Sequence, residues 1–167
     1  MLTRRHIRVK VMQAIYFYNQ NKHLSLRQIE KFLKQSISQL QDLYVLQLQL
    51  FVELRKYAET HKNQSKKRLS SLPKNQTLSP NFANNKLLLL IESNEDLSEI
   101  LKNKKLNYWE LDSEFVQLFY EELLEQEWFV DYQNLKEPSY KDDKNIVARI
   151  LKEIVAPSDK LYQYLED

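Results

Sequence analysis

Read as hydrophobic and polar positions, the chain shows one helical period after another. Ile7, Val11, Ala14, Ile15 and Tyr18 recur at i, i+4, i+7, i+8 and i+11. That spacing predicts a helix over about 3–21 with this stripe facing a core. A polar break covers 19–23. Ser25 can cap a second helix, with Ile29, Phe32, Leu33 and Ile37 on one face. A third helix is expected from near Gln39 to about His61, through Leu40, Leu43, Tyr44, Leu46, Leu50, Phe51 and Leu54. It is apolar on more than one side, as the central helix of a small bundle would be.

The pattern changes from Lys62 to Asn85. Ser, Asn, Gln and Lys cluster there around Pro73 and Pro80, so the stretch reads as a connector and a domain boundary. Beyond it, short helices are expected over 85–91 and 97–101. Asp112 or Ser113 would cap a stronger one over 114–125, with Phe115, Leu118, Phe119 and Leu123 inward. Trp128, Phe129 and Tyr132 follow as an aromatic cluster. Asp142 and Asp143 open another helix carrying Ile146, Val147, Ile150, Leu151 and Ile154. Pro157 would end it, leaving a last turn or two over 158–165. The expected organisation is an all-α helical bundle: a basic three-helix subdomain over 1–62, a polar connector over 63–84, and an acidic helical region over 85–167.

Composition narrows the chemistry. The 167 residues include no glycine, where average usage would give about twelve. Glycine-dependent phosphate loops, dinucleotide fingerprints and nucleophile elbows are therefore excluded. Cysteine is absent as well, which removes disulfides, thiolate metal sites and Cys nucleophiles. The longest apolar run is 87–91, so no membrane span is expected. With no secretory signal at the N-terminus, a cytoplasmic location is expected.

Charge adds more than its total of +2 suggests. Residues 1–80 carry 15 Lys+Arg against 4 Asp+Glu, and residues 81–167 carry 10 against 19. Such asymmetry points to a polyanion for the first half, or to neutralisation of one half by the other.

The basic charge concentrates at Arg4, Arg5, Arg8 and Lys10. Like charges on one helix face oppose folding unless an anion meets them, and here they also oppose the helix dipole. Arginine's planar fork suits phosphate and stacks on bases. Tyr16 falls near the face of Arg5 and Arg8, which makes it the stacking candidate, whereas Tyr18 belongs to the apolar stripe. Lys62, Lys66, Lys67, Arg68 and Lys74 form a second basic run in the connector, readable as a backbone contact or as a solvated linker. The aromatic set Tyr108, Trp109, Phe115, Phe119, Tyr120, Trp128, Phe129 and Tyr132 reads chiefly as core, or as a docking patch where exposed.

For catalysis the sequence offers little. His6, His23 and His61 are scattered, and neither a metal-ligand spacing nor a nucleophile–base pair occurs. Glu121/Glu122 and Asp142/Asp143 point about 100° apart on a helix, so they do not converge on a substrate. No enzyme activity, metal or cofactor is expected.

The stretch from Arg4-Arg5-His6-Ile7-Arg8 through Gln13-Ala14-Ile15-Tyr16 resembles the opening helix of the transcription antitermination protein NusB family. That family begins with Arg-Arg-x-x-Arg and continues to Gln-Ala-Leu-Tyr. Gln41-Asp42-Leu43-Tyr44 and the helix after it resemble the family's third helix. The resemblance covers about 2–60, and 85–167 is similar to the insertion of Bacteroidetes-type members. It implies an all-helical protein that binds boxA-type single-stranded RNA together with NusE, a small-subunit ribosomal protein, in the transcription elongation complex. Arg4, Arg5, Arg8 and Tyr16 match the family's RNA-contacting element, while His6 stands where many members have another basic residue. The family's C-terminal subdomain is not found in this chain. Either the chain is a shortened form, or the acidic second half takes that subdomain's place.

Two other readings stay open from the residues alone. One is a non-catalytic interaction module whose acidic half docks a basic partner. The other is a small enzyme with an unrecognised carboxylate site. A homodimer is also open.

Overall fold

The computed structural model describes residues 3–68, 81–159 and 161, apart from the side chains of 61–68 and 110. The fold is all-α, and no strand occurs among the described residues. The helices are α1 (Arg4–Gln20), α2 (Leu26–Arg68), α3 (Lys86–Glu92), α4 (Glu95–Lys104), α5 (Tyr108–Leu111), α6 (Ser113–Leu124), α7 (Glu127–Gln133) and α8 (Tyr140–Ile150). A π-helical turn over Leu151–Val155 extends α8. It ends at Ala156, immediately before Pro157, which cannot supply the next helical N–H.

The expected second and third helices are one. α2 runs unbroken for 43 residues, so the N-terminal part is not a three-helix arrangement. Ser36 and Ser38 interrupt the apolar stripe, but serine is only mildly unfavourable in a helix. Neither proline nor glycine occurs between Leu26 and Arg68 to stop the backbone. Chain packing forms two compact units, Met1–Gln47 and Leu48–Asp167. Most of the expected 63–84 connector, with Lys74, lies outside the described residues.

In the first unit, Ser25 and Gln28 cap α2 reciprocally. The Gln28 N–H donates to Ser25 Oγ at 3.4 Å, and the Ser25 N–H donates to Gln28 Oε1 at 2.8 Å. Phe17 of α1 stacks on Phe32 of α2, with ring centroids 4.7 Å apart. The predicted inward stripe of α1 is not a core: Ala14 alone is buried, Tyr18 is half-buried, and Ile7, Val11 and Ile15 are exposed. Periodicity identified the apolar face, but the described residues of this unit supply no third helix to cover it.

The second unit has the core. Leu50, Phe51, Leu54 and Ala58 of α2 are buried with Phe82, Leu88, Trp109, Phe119, Leu123, Phe129, Ile150 and Val155. Most of the predicted aromatic cluster is here: Trp109, Phe119, Tyr120, Phe129 and Tyr132 are buried, while Tyr108 is exposed. Tyr120 and Phe129 meet edge to face at 6.3 Å, as do Phe82 and Phe129 at 5.3 Å.

A buried polar network ties α3, α7 and α8 together. Asn85 caps α3 by accepting from the Leu88 N–H at 3.1 Å. Its amide donates to Tyr132 Oη and to the Asp143 carbonyl, each at 3.1 Å. The Tyr132 hydroxyl donates to Asp143 Oδ1 at 2.7 Å, and the Lys86 N–H donates to Asp143 Oδ2 at 2.9 Å. Asn81 Nδ2 donates to the carbonyls of Tyr132, Gln133 and Leu135 at the end of α7. Each buried polar atom named here therefore has a partner, as burial requires. Burial pushes both buried phenols upward, Tyr120 to about 12 and Tyr132 further, where the Asp143 carboxylate adds to the effect.

One backbone position departs from the rest. Lys105, which ends α4, has φ 54° and ψ 41°. Helices usually place glycine in this left-handed cap, because a Cβ there is crowded. This chain has no glycine to offer.

Candidate nucleic-acid interface

The α1 surface starts with its cap. Thr3 Oγ1 accepts from the His6 N–H at 3.5 Å, and the Thr3 N–H donates to His6 Nδ1 at 3.4 Å. His6 thus takes the place that Glu or Gln fills in the usual capping box. The His6 side chain is used here to begin the helix.

With the helix fixed at Arg4–Gln20, 100° per residue places the functional candidates. Arg5, Arg8, Met12 and Tyr16 succeed one another at intervals of three and four, so they share one face opposite Ala14. The row extends about 16 Å along the axis. Arg4 lies at its edge, one turn from Arg8. Tyr16 is 67 % exposed, and all three arginines are exposed. None of the three pairs with an acidic side chain among the described residues, and α1 itself contains no acid. Lys10 is not brought into this group: it is half-buried and points at least about 140° away from Arg5 and Arg8.

Sequence reasoning did not anticipate the aliphatic residues of the same face. Met12 is 65 % exposed and Ile15 55 %, and Val9 is exposed beside them. Their apolar character was legible. Their exposure was not, because it depends on how many helices the unit contains. The surface thus combines exposed cations, one exposed aromatic ring and aliphatic patches. It can meet phosphates by charge, a base by stacking, or an apolar partner by burial.

The carboxylate pairs occupy structural or solvated places. Glu121 and Glu122 are exposed on α6. Asp142 forms a capping box with Ser139, whose N–H and hydroxyl donate to it at 2.9 and 2.6 Å. Those two bonds hold the Asp142 carboxyl below its ordinary range. Asp143 is enclosed in the network with Tyr132 and Lys86. The sequence matches no family profile, no curated protein and no solved structure.

Proposed function

We propose that the protein binds single-stranded RNA through the outer face of α1, as a non-catalytic transcription antitermination factor. The observation that carries this reading is the row Arg5, Arg8 and Tyr16: exposed, on one face, and without an acidic partner among the described residues. Arg5 and Arg8 meet phosphates or stack on bases, Tyr16 stacks on a base, and Arg4 adds an edge contact. The resemblance of this helix to the opening of the NusB family selects boxA-type RNA as the strand. It also selects NusE and the elongation complex as partners.

The test is fluorescence anisotropy with a short boxA-like strand and a scrambled control, at two salt concentrations, with and without NusE. The expected result is preference for the boxA-like strand, strengthened by NusE. Arg5→Ala with Arg8→Ala should weaken binding and reduce the salt slope by about 1.4, or 0.7 per lost single-strand phosphate contact. Circular dichroism should show unchanged helicity. A double variant that binds as well as the parent removes the site.

A second reading rests on a different surface. Leu118 and Phe115 lie in a groove of about 560 Å³ edged by Glu121, Glu122, Glu125 and Asp159. This acid-rich groove favours an interaction module that docks a basic protein segment. No binding of either RNA strand at either salt would turn the choice to this reading.

A further inference from the structure

RNA binding by α1 employs Arg4, Arg5, Arg8 and Tyr16 but gives no work to the apolar side chains beside them. Val9 is 42 % exposed and Met12 65 %, next to Tyr16 at 67 %. Spacings of three and four residues put Val9, Met12 and Tyr16 on one strip of α1, within an arc of about 60°. Each points at least about 140° away from Ala14, the buried side of the helix. The strip runs about 10 Å along the axis. Arg5 stands one turn before Val9, and Arg8 one turn before Met12.

Phosphates do not account for an apolar strip. The arginines hold an anion, which gains nothing from a valine or a thioether. A base does gain, because its ring faces are apolar and polarisable, and methionine sulfur contacts aromatic rings favourably. Spacing sets how many bases fit. Side chains three and four residues apart stand about 4.5–6 Å from each other along the axis, whereas stacked bases lie about 3.4 Å apart. A stacked run therefore does not match the strip, and each neighbouring pair of side chains takes a base of its own. The pairs are Val9 with Met12, and Met12 with Tyr16. Arg5 and Arg8, in a helix with no acid, call for an anionic occupant. A strand supplies phosphate and ring face together.

We propose that Val9, Met12 and Tyr16 form a floor for two successive unstacked bases, with Arg5 and Arg8 on the phosphates beside the Val9 end. Val9 and Met12 are thereby base-contacting residues, and the site takes a splayed single strand rather than any polyphosphate. This rests on RNA binding by α1 and extends it from one base to a dinucleotide.

The experiment is the anisotropy titration of the full chain and its Val9→Ser, Met12→Ser and Val11→Ser variants. The strands are the boxA-like one and copies of it in which two successive nucleotides are abasic, the pair moved stepwise along the strand. Met12→Ser should weaken binding of the intact strand at least about threefold, the loss of a sulfur–ring contact. Val9→Ser should weaken it about twofold or more, through lost apolar burial. In both, the salt slope should stay that of the parent, because no phosphate contact is lost. Val11→Ser, exposed but turned about 100° from Met12, should bind as the parent does. One register of the abasic pair should cost the parent at least about tenfold, and that cost should shrink in Met12→Ser. Circular dichroism should show the parent's helicity in every variant, and the abasic strands probe the floor with the parent chain itself. If the parent binds no strand, RNA binding by α1 and this floor fall together. If Arg5→Ala with Arg8→Ala weakens binding while Val9→Ser with Met12→Ser leaves it at the parent's level, the floor falls and the RNA site stands. The floor also falls if no register of the abasic pair costs affinity, or if Met12→Ser lowers the salt slope as the arginine variant does.

Discussion

The two units use similar apolar content in opposite ways. In Leu48–Asp167, large side chains such as Trp109, Phe82, Phe129 and Leu123 are almost fully enclosed, and Asn85 and Asp143 are buried with partners. In Met1–Gln47, Ile7, Val9, Val11, Met12, Ile15 and Tyr16 stand exposed along one helix. Buried area stabilises a fold at about 25 cal/mol per Å², while an exposed side chain contributes nothing of the kind. The second unit is therefore where the sequence invests in stability. The first keeps its apolar and cationic groups available for something outside itself.

Substitutions sharpen this contrast in proportion to burial. Phe129→Ala should have the largest effect, lowering stability by about 3–5 kcal/mol in urea unfolding, since Phe129 touches two other buried rings. Tyr132→Phe should cost about 1–3 kcal/mol, because it leaves Asp143 Oδ1 and the Asn85 amide short of a partner. The same tyrosine sets an alkaline limit. Folded Tyr120 and Tyr132 hold their protons above the ordinary phenol value of 10. Their contribution is complete below pH 10 and disappears as pH rises through the folded values, so unfolding midpoints should fall above pH 10. That fall should be shallower in Tyr132→Phe.

Lys105→Gly should act in the other direction, stabilising by about 1 kcal/mol by relieving the left-handed cap. Smallest of all, Met12→Ser and Ile15→Ser in α1 should change stability by less than about 0.5 kcal/mol. A loss above about 2 kcal/mol at Ile15 would mean that α1 is covered, and would remove the contrast between the units.

How much of this was legible follows the range of each interaction. Local signals worked: Ser25 capped a helix, Asp142 and Asp143 opened one, and Pro157 stood at the end of one. The row of Arg5, Arg8 and Tyr16 also followed from spacing alone, since it needs only the helix. Two errors share a cause. A second helix ending near Ile37 and a third starting near Gln39 were expected where one helix runs, and Ile7, Val11 and Ile15 read as core, because a stripe records what a helix could bury and not what is present to bury it. The burial of Gln49, Asn85 and Asp143 carried no usable signal. A polar residue in a helical period looks solvated until the chain returns to enclose it.

The polar network also bears on the order in which the chain folds. Asn85 reaches partners 47 and 58 residues ahead of it, and Asn81 reaches partners 51 to 54 residues ahead. Closing loops of that length loses chain entropy before any of these bonds can form. The network should therefore assemble after the rate-limiting barrier. Substitutions within it should leave the refolding rate nearly unchanged and appear as faster unfolding, so that these buried bonds govern how long the folded molecule lasts rather than how quickly it is reached.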